Sequence, residues 1–454
     1  MGDWGTLEEA EAFLAAHPEV EAFEIYLIDL AGISRGKLLR REELLPLYHH
    51  GRPLPSSILA LTVNGEDVDE TGLVWDVADM DCLARPVAGS LTLLPWRRVP
   101  TGALQLSLDP VAGLPAALAD PRHALTRVID TLAARDLYPV MAVELEFYLL
   151  DREDDPFGRP QPARLGDGRR PREPQVYGVR ELALLEPFLA DLYAACRLQG
   201  LPARTAISEY APGQVEITLE HGPALLALDQ GVRYKRLVKG LAETYGMQAC
   251  FMAKPFGHLA GSGLHLHVSL ADAQGHNRFA AEDPHGSPLL RAGIGGLLET
   301  LAESLLFFCP HANSYRRFQA HSYAPLAPTW GVNNRTVSLR IPGGPPESRH
   351  LEHRISGADA NPYLVATCVL AGLLRGIDEQ CDPGAPVVGN GYLRGASPAP
   401  HWQGALAAAR ASPWLERVFG ADFMGVWLAI KEAEQRRFFA EVGEQDWRWY
   451  RDTV

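Results

Sequence analysis

The sequence has no long hydrophobic run, no paired cysteines, no glycine-rich phosphate loop and no surplus of basic charge. The longest apolar stretch, Tyr363 to Leu374, stops at Arg375 and is well short of the roughly 20 residues that span a bilayer, so no membrane partner is expected. Six cysteines (Cys82, Cys196, Cys250, Cys309, Cys368 and Cys381) lie far apart without a C-x-x-C pair. That spacing excludes a zinc framework and a secreted disulfide scaffold, leaving buried thiols as the expectation. The opening carries Asp3, Glu8, Glu9 and Glu11 and no basic-then-apolar signal region, so a cytoplasmic protein is expected. Neither G-x-x-x-x-G-K-S/T nor G-x-G-x-x-G occurs, which excludes a P-loop and a Rossmann site. With 42 Lys and Arg against 56 Asp and Glu, the net charge is −14, and nucleic acid is excluded as the main partner because phosphate binding needs basic surface. Ser34-Arg35-Gly36-Lys37 fits the S-x-x-K pattern of acyl-serine enzymes, but S-D-N and K-T-G are missing, so it reads as a solvated hairpin.

What is present is an ordinary globular composition, 47% hydrophobic and 22% charged over 454 residues, with chain enough for two or three domains. Residues 1 to about 105 read as a small α+β unit. It has a helix at Leu7 to Ala16, strands at Ala22 to Asp29 and around Gly36 to Arg40, then LPSSILALTVNGEDVDETGL as a strand followed by an acidic loop. Thr92-Leu93-Leu94-Pro95-Trp96 closes the unit, with a boundary near Asp109 to Leu114. Beyond it, 122–136 is an amphipathic helix, Val140 to Leu149 a strand, Asp151 to Pro174 a long polar loop, Glu181 to Gln199 a helix and Val215 to Leu219 a strand. Helical segments near Gly404 to Ala411 and Ala421 to Arg437 end the chain, and no internal repeat is seen.

The chemistry gathers around Met252 to Leu270. A Gly-Ser-Gly turn precedes strict alternation: Leu264, Leu266, Val268 and Leu270 on one parity, His265, His267 and Ser269 on the other. That is a strand with one buried and one polar face. Glu144 and Glu146 share a strand face in the same way, Glu209 and Glu216 flank a Pro-Gly turn, and Glu352 stands with His350 and Arg354 on one face if extended. Same-face carboxylates repel unless a cation lies between them or one is protonated. Carboxylates with an occasional imidazole suit Mg²⁺ or Mn²⁺. Arg316, Arg317, Arg335 and Arg340 stand in nearby glycine- and proline-marked contexts. Acidic metal ligands beside arginines are what a nucleotide triphosphate site requires.

These stretches together resemble the glutamine synthetase family over nearly the whole chain. The marks are Glu144-x-Glu146, Glu209-Tyr-Ala-Pro-Gly-Gln-x-Glu216, Lys254-Pro-Phe before Gly261-Ser-Gly-x-His265-x-His267, Asn313-Ser-Tyr-x-Arg317, Asn334-Arg335 to Arg340-Ile-Pro, and Glu352-x-Arg354 leading to Ala360-Asn-Pro-Tyr363. The resemblance implies an α+β protein: a small β-grasp-like N-terminal domain, 1–110, and a large catalytic domain, 111–454, with helices and a curved antiparallel sheet. It further implies a homo-oligomeric double ring, a dodecamer, in which the neighbour's N-terminal domain completes each site.

Carried over by residue, Glu146, Glu209 and Glu216 would hold one Mg²⁺ or Mn²⁺, and Glu144, His265 and Glu352 another. His267, Ser269 and Arg340 would face the co-substrate ATP, Gly261, Arg317 and Arg354 would face L-glutamate, and Arg335 the transferred phosphate. The family's ammonium-binding carboxylates are missing: Tyr323 precedes the Ala-Pro of the flap, and Leu54-Pro55-Ser56-Ser57 replaces the aspartate context. Tyr210, Ala260 and the stretch after Glu352 resemble the γ-glutamylpolyamine synthetase branch. The missing Leu-Tyr-x-Leu-Pro context speaks against control by adenylylation.

The expected activity is ATP-dependent joining of glutamate to an organic amine, a di- or polyamine foremost, through γ-glutamyl phosphate. Tyr323 and the Leu54 to Ile58 segment would line the amine entrance, with Glu66, Asp67, Asp69 and Glu70 as candidates for a distal ammonium. Ammonia-dependent glutamine synthesis and a non-catalytic glutamate or ATP sensor are the alternatives. Retention of both ligand sets and the phosphate arginine argues against the sensor.

Overall fold

The computed structural model describes residues 4–110, 115–325, 327–394 and 400–454; of the boundary expected near Asp109 to Leu114, residues 111–114 lie outside them. Two sheets organise the chain. In the first, Ser34–Arg40, Ala22–Ile28, Thr101–Leu108, Asp81–Pro86 and Arg52–Pro55 lie side by side in that order, and Thr92–Leu93 adds to Thr101–Leu108. The Ala22–Ile28 strand runs parallel to Thr101–Leu108 at the centre, a mixed sheet of the β-grasp-like kind expected. The helix Leu7–Ala16 begins at Thr6, whose hydroxyl accepts the Glu9 N–H, with Glu8 and Glu9 in its first turn. Such a cap and acidic start satisfy the free N–H groups and the helix dipole. The S-x-x-K stretch is the hairpin strand Ser34–Arg40, where Arg35 pairs with Asp29 at 2.9 Å.

Several expectations need correction. The unit is closed by Thr101–Leu108 rather than by Thr92 to Trp96. That strand is buried on both faces, so it lacks the alternation that marks a half-exposed strand. Two of its polar side chains are bonded internally: Gln105 donates to the Tyr363 hydroxyl at 2.7 Å and Ser107 to Asp120 at 2.8 Å. The LPSSILAL stretch is a strand only to Pro55, then a short 3₁₀ turn, Ser56–Leu59. The helix expected at Glu181 to Gln199 is two, Val179–Leu184 and Glu186–Leu198, because Pro187 has no N–H to carry a helix through the junction. Four cysteines are buried thiols, but Cys250 and Cys381 are half-buried.

The second sheet has Trp330–Val332, Leu339–Ile341, Leu351–His353, Leu264–Ala271, Tyr138–Asp151, Gln214–Leu219 and Ala203–Ser208 in spatial order. Gly222–Pro223 and Met247–Cys250 add to Tyr138–Asp151. It is antiparallel, as expected, with one parallel pair at its edge where Trp330–Val332 runs alongside Leu339–Ile341. One face is apolar and buried, with Val143, Leu145, Phe147, Leu264, Leu266, Val268, Val215 and Ile217 in the core. The helix Ala224–Thr244 packs on it, and Pro288–Phe308, Pro362–Glu379 and Pro121–Ala133 pack together. The longest apolar run therefore lies in a buried helix, and no helix of the described residues is long and apolar enough to cross a membrane. The polar loop after Asp151 has neither helix nor strand of its own through Pro174, and Arg170 ties it to Asp151 at 2.8 Å.

The last long helix, Ala421–Ala440, anchors the N-terminal unit. Glu434 accepts the Val63 N–H at 2.7 Å and pairs with fully buried Lys431 at 2.7 Å. Burial alone would raise the Glu434 carboxyl, but the Lys431 ammonium and His311 outweigh it and hold it at about 2. Its folded value lies below the unfolded one, so its stabilisation is complete above about pH 4.5 and is lost as pH falls toward 2. Glu434→Gln should therefore cost about 3 kcal/mol at neutral pH and nothing near pH 2. Urea unfolding at several pH values measures this, and a pH-independent loss would contradict the assignment.

Candidate active site

The polar face of the second sheet collects the side chains singled out from sequence. Strand register puts Arg340 and His267 on either side of Glu352, His265 opposite Glu144, and Glu146 opposite Glu216. Directly opposed residues on antiparallel strands share a face, so five adjacent strands deliver these groups to one patch. Among the described residues, ligand atoms of Glu144, Glu216 and His265 lie within 4.8 Å of one another, as do those of Glu144, His267 and Glu352. This grouping differs from the expected one. Glu144 is shared by both trios, His267 joins one of them, and Glu146 is turned to the Gly263 N–H at 2.7 Å.

The electrostatics are those of a crowded buried acid cluster. Burial pushes Glu216 up to about 9, with repulsion from Glu144, Glu146, Glu209 and Glu352 adding to it. Burial and Glu209 together push Glu146 up to about 7 against the pull of Arg317. Glu209 is raised by burial and by Glu144, partly offset by its own contact with the Tyr210 N–H. Glu144 goes the other way: burial opposes ionisation, but His265 and His267 outweigh it and hold the carboxyl low. Glu352 is held at about 2 despite burial because Arg354, His265, His267 and Arg340 surround it. Buried carboxylates this close, with imidazoles beside them, fit a hard divalent cation.

The histidines are aligned by their neighbours. His265 Nδ1 lies 3.3 Å from Glu144, while His267 Nε2 approaches the other Glu144 oxygen at 3.0 Å, off the hydrogen-bond direction. His350 lies against the Ser348 carbonyl at 2.7 Å through Nδ1 and against His267 Nδ1 at 3.0 Å through Nε2. The carbonyl can only accept, so His350 Nδ1 carries a proton. Ser269 lies two residues beyond His267 on the same face. Arg340 donates to Glu352 at 2.7 Å and to Asn333 at 3.0 Å.

The loop before His265 forms the next wall. Gln214 donates to the Gly261 carbonyl at 2.9 Å and the Tyr148 hydroxyl to the Ala260 carbonyl at 2.6 Å. A Cβ on Gly261 would meet the Ala253 carbonyl at 2.7 Å, and one on Gly263 would meet His265 at 2.8 Å and Arg317 at 2.9 Å. Only glycine lets the backbone approach so closely. Arg317 is buried and donates to the Ile355 carbonyl at 2.6 Å, and Arg354 pairs with Glu352. Gly261, Arg317 and Arg354 are thus brought together. Arg335 is exposed on the turn after Asn333, where it shares a recess of about 460 Å³ with Tyr323.

The comparisons with known proteins bear on this geometry. The family described as "Glutamine synthetase, catalytic domain" matches residues 118–450. The chain belongs to the glutamine synthetase family. It is 38% identical to gamma-glutamylputrescine synthetase PuuA of Escherichia coli (strain K12) over 445 residues, covering 97% of this chain and 94% of that protein. It is 33% identical to gamma-glutamylethanolamide synthetase GlnA4 of Streptomyces coelicolor over 389 residues, covering 85% and 82%. Among solved structures, the GmaS/ADP complex superposes with a TM-score of 0.82 at 28% identity over 100% of both chains.

Within this glutamine synthetase scaffold, sequence reasoning missed Gln214, Tyr148 and Asn333 as positioning groups. Gln214 had a signal, since it shares the parity of Glu216. Asn333 had none, because its contact with Arg340 is made through a left-handed turn at φ 49°. Of the four acids named as candidates for a distal ammonium, two have partners within the chain: Arg437 pairs with Glu66 and Arg436 with Glu70.

Proposed function

We propose that this chain is an ATP-dependent ligase that joins the γ-carboxylate of L-glutamate to an organic amine, a di- or polyamine foremost. The observation that carries the reading is the joint presence of the acidic cluster, the Gly261–Arg317–Arg354 wall and a phenol, Tyr323, beside Arg335. In this reading Glu144, Glu146, Glu209, Glu216, His265 and Glu352 hold Mg²⁺ or Mn²⁺, with His267 close enough to join them. The bound cations supply charge neutralisation for the phosphates. His267, Ser269 and Arg340 face ATP, and Arg317, Arg354 and the Gly261 backbone orient glutamate.

The glutamate γ-carboxylate oxygen takes the γ-phosphoryl group as its bond to ADP breaks, giving γ-glutamyl phosphate, and Arg335 stabilises the charge on the group in flight. The amine nitrogen then attacks the acyl carbon, phosphate leaves, and a proton is lost to give the amide. An alkylammonium with a pKa near 10.4 must shed a proton before it attacks.

The family resemblance and the two sheets support reading 1–110 and 111–454 as domains of a cytoplasmic homo-oligomer, a double-ring dodecamer. In this chain the Leu54–Ile58 segment packs against Asp81–Pro86 and Pro115–Leu118.

ADP release with ATP, Mg²⁺, glutamate and an amine panel tests the reading. Putrescine or a longer polyamine should exceed ammonium by at least about tenfold in kcat/KM, about 1.4 kcal/mol, and Tyr323→Glu should shift the balance toward ammonium. Preference of the unmodified protein for ammonium would replace this reading with glutamine synthesis. No turnover with any acceptor would favour a sensor.

A further inference from the structure

Two phenols from separate loops meet beside Glu209. Tyr210 follows Glu209 in the turn between Ala203–Ser208 and Gln214–Leu219, and Tyr323 lies in the segment after Arg317. Their ring centroids are 5.5 Å apart with planes 35° from parallel, although 42% of Tyr210 and 44% of Tyr323 remains exposed. Tyr323 is also held at a left-handed φ of 56°, as is His321 at 62°, a conformation that is costly for a bulky side chain and collects at ligand clamps.

The contacts that hold the segment are specific. Ser322 donates to the Gln319 carbonyl at 2.7 Å, the Tyr392 hydroxyl to the Ala324 carbonyl at 3.1 Å, and the His321 ring lies 5.6 Å from Tyr392. Tyr323 thus stands between Tyr210, next to Glu209, on one side and the Arg335 recess on the other.

We propose that Tyr210 is a specificity-determining residue that forms with Tyr323 a two-ring surface, a one-sided clamp, against which the methylene chain of the amine substrate packs. The inference rests on the ligase reading above and deepens it. Two half-exposed rings in contact offer area to CH₂ groups and attract the ammonium end of an alkylamine. Ammonium itself has no chain to grip. The clamp needs no carboxylate for a distal charge, which agrees with Glu66 and Glu70 being engaged by Arg437 and Arg436. It therefore recognises unbranched aliphatic amines by chain length.

The test is kcat/KM for methylamine, ethylamine, propylamine, butylamine and putrescine with the full-length protein, Tyr210→Ala and Tyr210→Phe. In the parent protein each added methylene should raise kcat/KM by about twofold to fourfold, the range expected for part or all of a buried CH₂. Tyr210→Ala should flatten that rise to less than half per methylene, whereas Tyr210→Phe keeps the ring and should keep the rise. A Tyr210→Ala protein with the parent's chain-length dependence overturns the clamp, as does a parent with no such dependence. Loss of the dependence in Tyr210→Phe as well would assign the effect to the hydroxyl and equally overturn it. Failure of the ligase reading looks different: no amine supports ADP release in the parent protein at all.

Discussion

Glu216→Gln lowers ADP release from ATP by at least about a thousandfold, about 4 kcal/mol of transition-state stabilisation, without unfolding the protein. Glu216 is buried at the centre of the acid cluster, within reach of Glu144 and His265. An amide of the same shape cannot neutralise a divalent cation, so the site loses a ligand while its packing is kept. The stability signature is opposite to the usual one for losing a buried charge. Glu216 is raised to about 9, above the ordinary 4.5, so its contribution favours the fold below about pH 4.5 and is lost as pH rises through 9. Glu146, raised to about 7, adds the same trend at lower pH.

Chelator-treated protein should therefore lose melting temperature from about pH 5 to about pH 9, and Mg²⁺ should restore it. Glu216→Gln should flatten the alkaline part of that fall. Binding of Mg²⁺ at neutral pH should release protons, seen as a buffer-dependent heat in calorimetry. Unchanged turnover in the purified variant would remove Glu216 from the site.

The second large effect concerns stability. Asp229→Ala should cost about 3–5 kcal/mol, because it leaves the Arg122 guanidinium buried without its partner. Arg122 makes two bonds of 2.9 Å to Asp229, and the Tyr363 hydroxyl donates to the same carboxylate at 2.6 Å. Gln105 from the first sheet donates to that hydroxyl at 2.7 Å. The network thus joins the helices Pro121–Ala133, Ala224–Thr244 and Pro362–Glu379 to the strand Thr101–Leu108. Replacing both partners by apolar side chains, Arg122→Met with Asp229→Leu, should recover most of the loss. Denaturant unfolding of the single and double variants decides it. A loss below about 1 kcal/mol in the single variant would mean that water reaches Arg122.

Much of the candidate site was legible in the chain because strand alternation is a local property. The parity of Leu264 to Leu270 and of Val143 to Phe147 already placed His265, His267, Glu144 and Glu146 on polar faces, and the structure has them there. Motif order also brought out the family. What alternation cannot say is which strand lies beside which. Strand pairing across the sheet brings Glu352 opposite His267 and Glu146 opposite Glu216, and those pairings depend on loops and helices far away in sequence.

The tertiary structure alone decided three further matters. Thr101–Leu108 was hidden because a strand buried on both faces has no polar parity to reveal it. No local pattern showed that the helix Ala421–Ala440 delivers Arg436 and Arg437 to Glu70 and Glu66 of the acidic loop. Tyr210 and Tyr323 stand 113 positions apart in the chain, and only folding brings their rings together. By itself the sequence determined which polar residues share a strand face and which way that face points, because parity is set within a few residues. Which of them meet was left to the tertiary structure, since long-range contacts are selected by burial and charge pairing over the whole chain rather than by any local pattern.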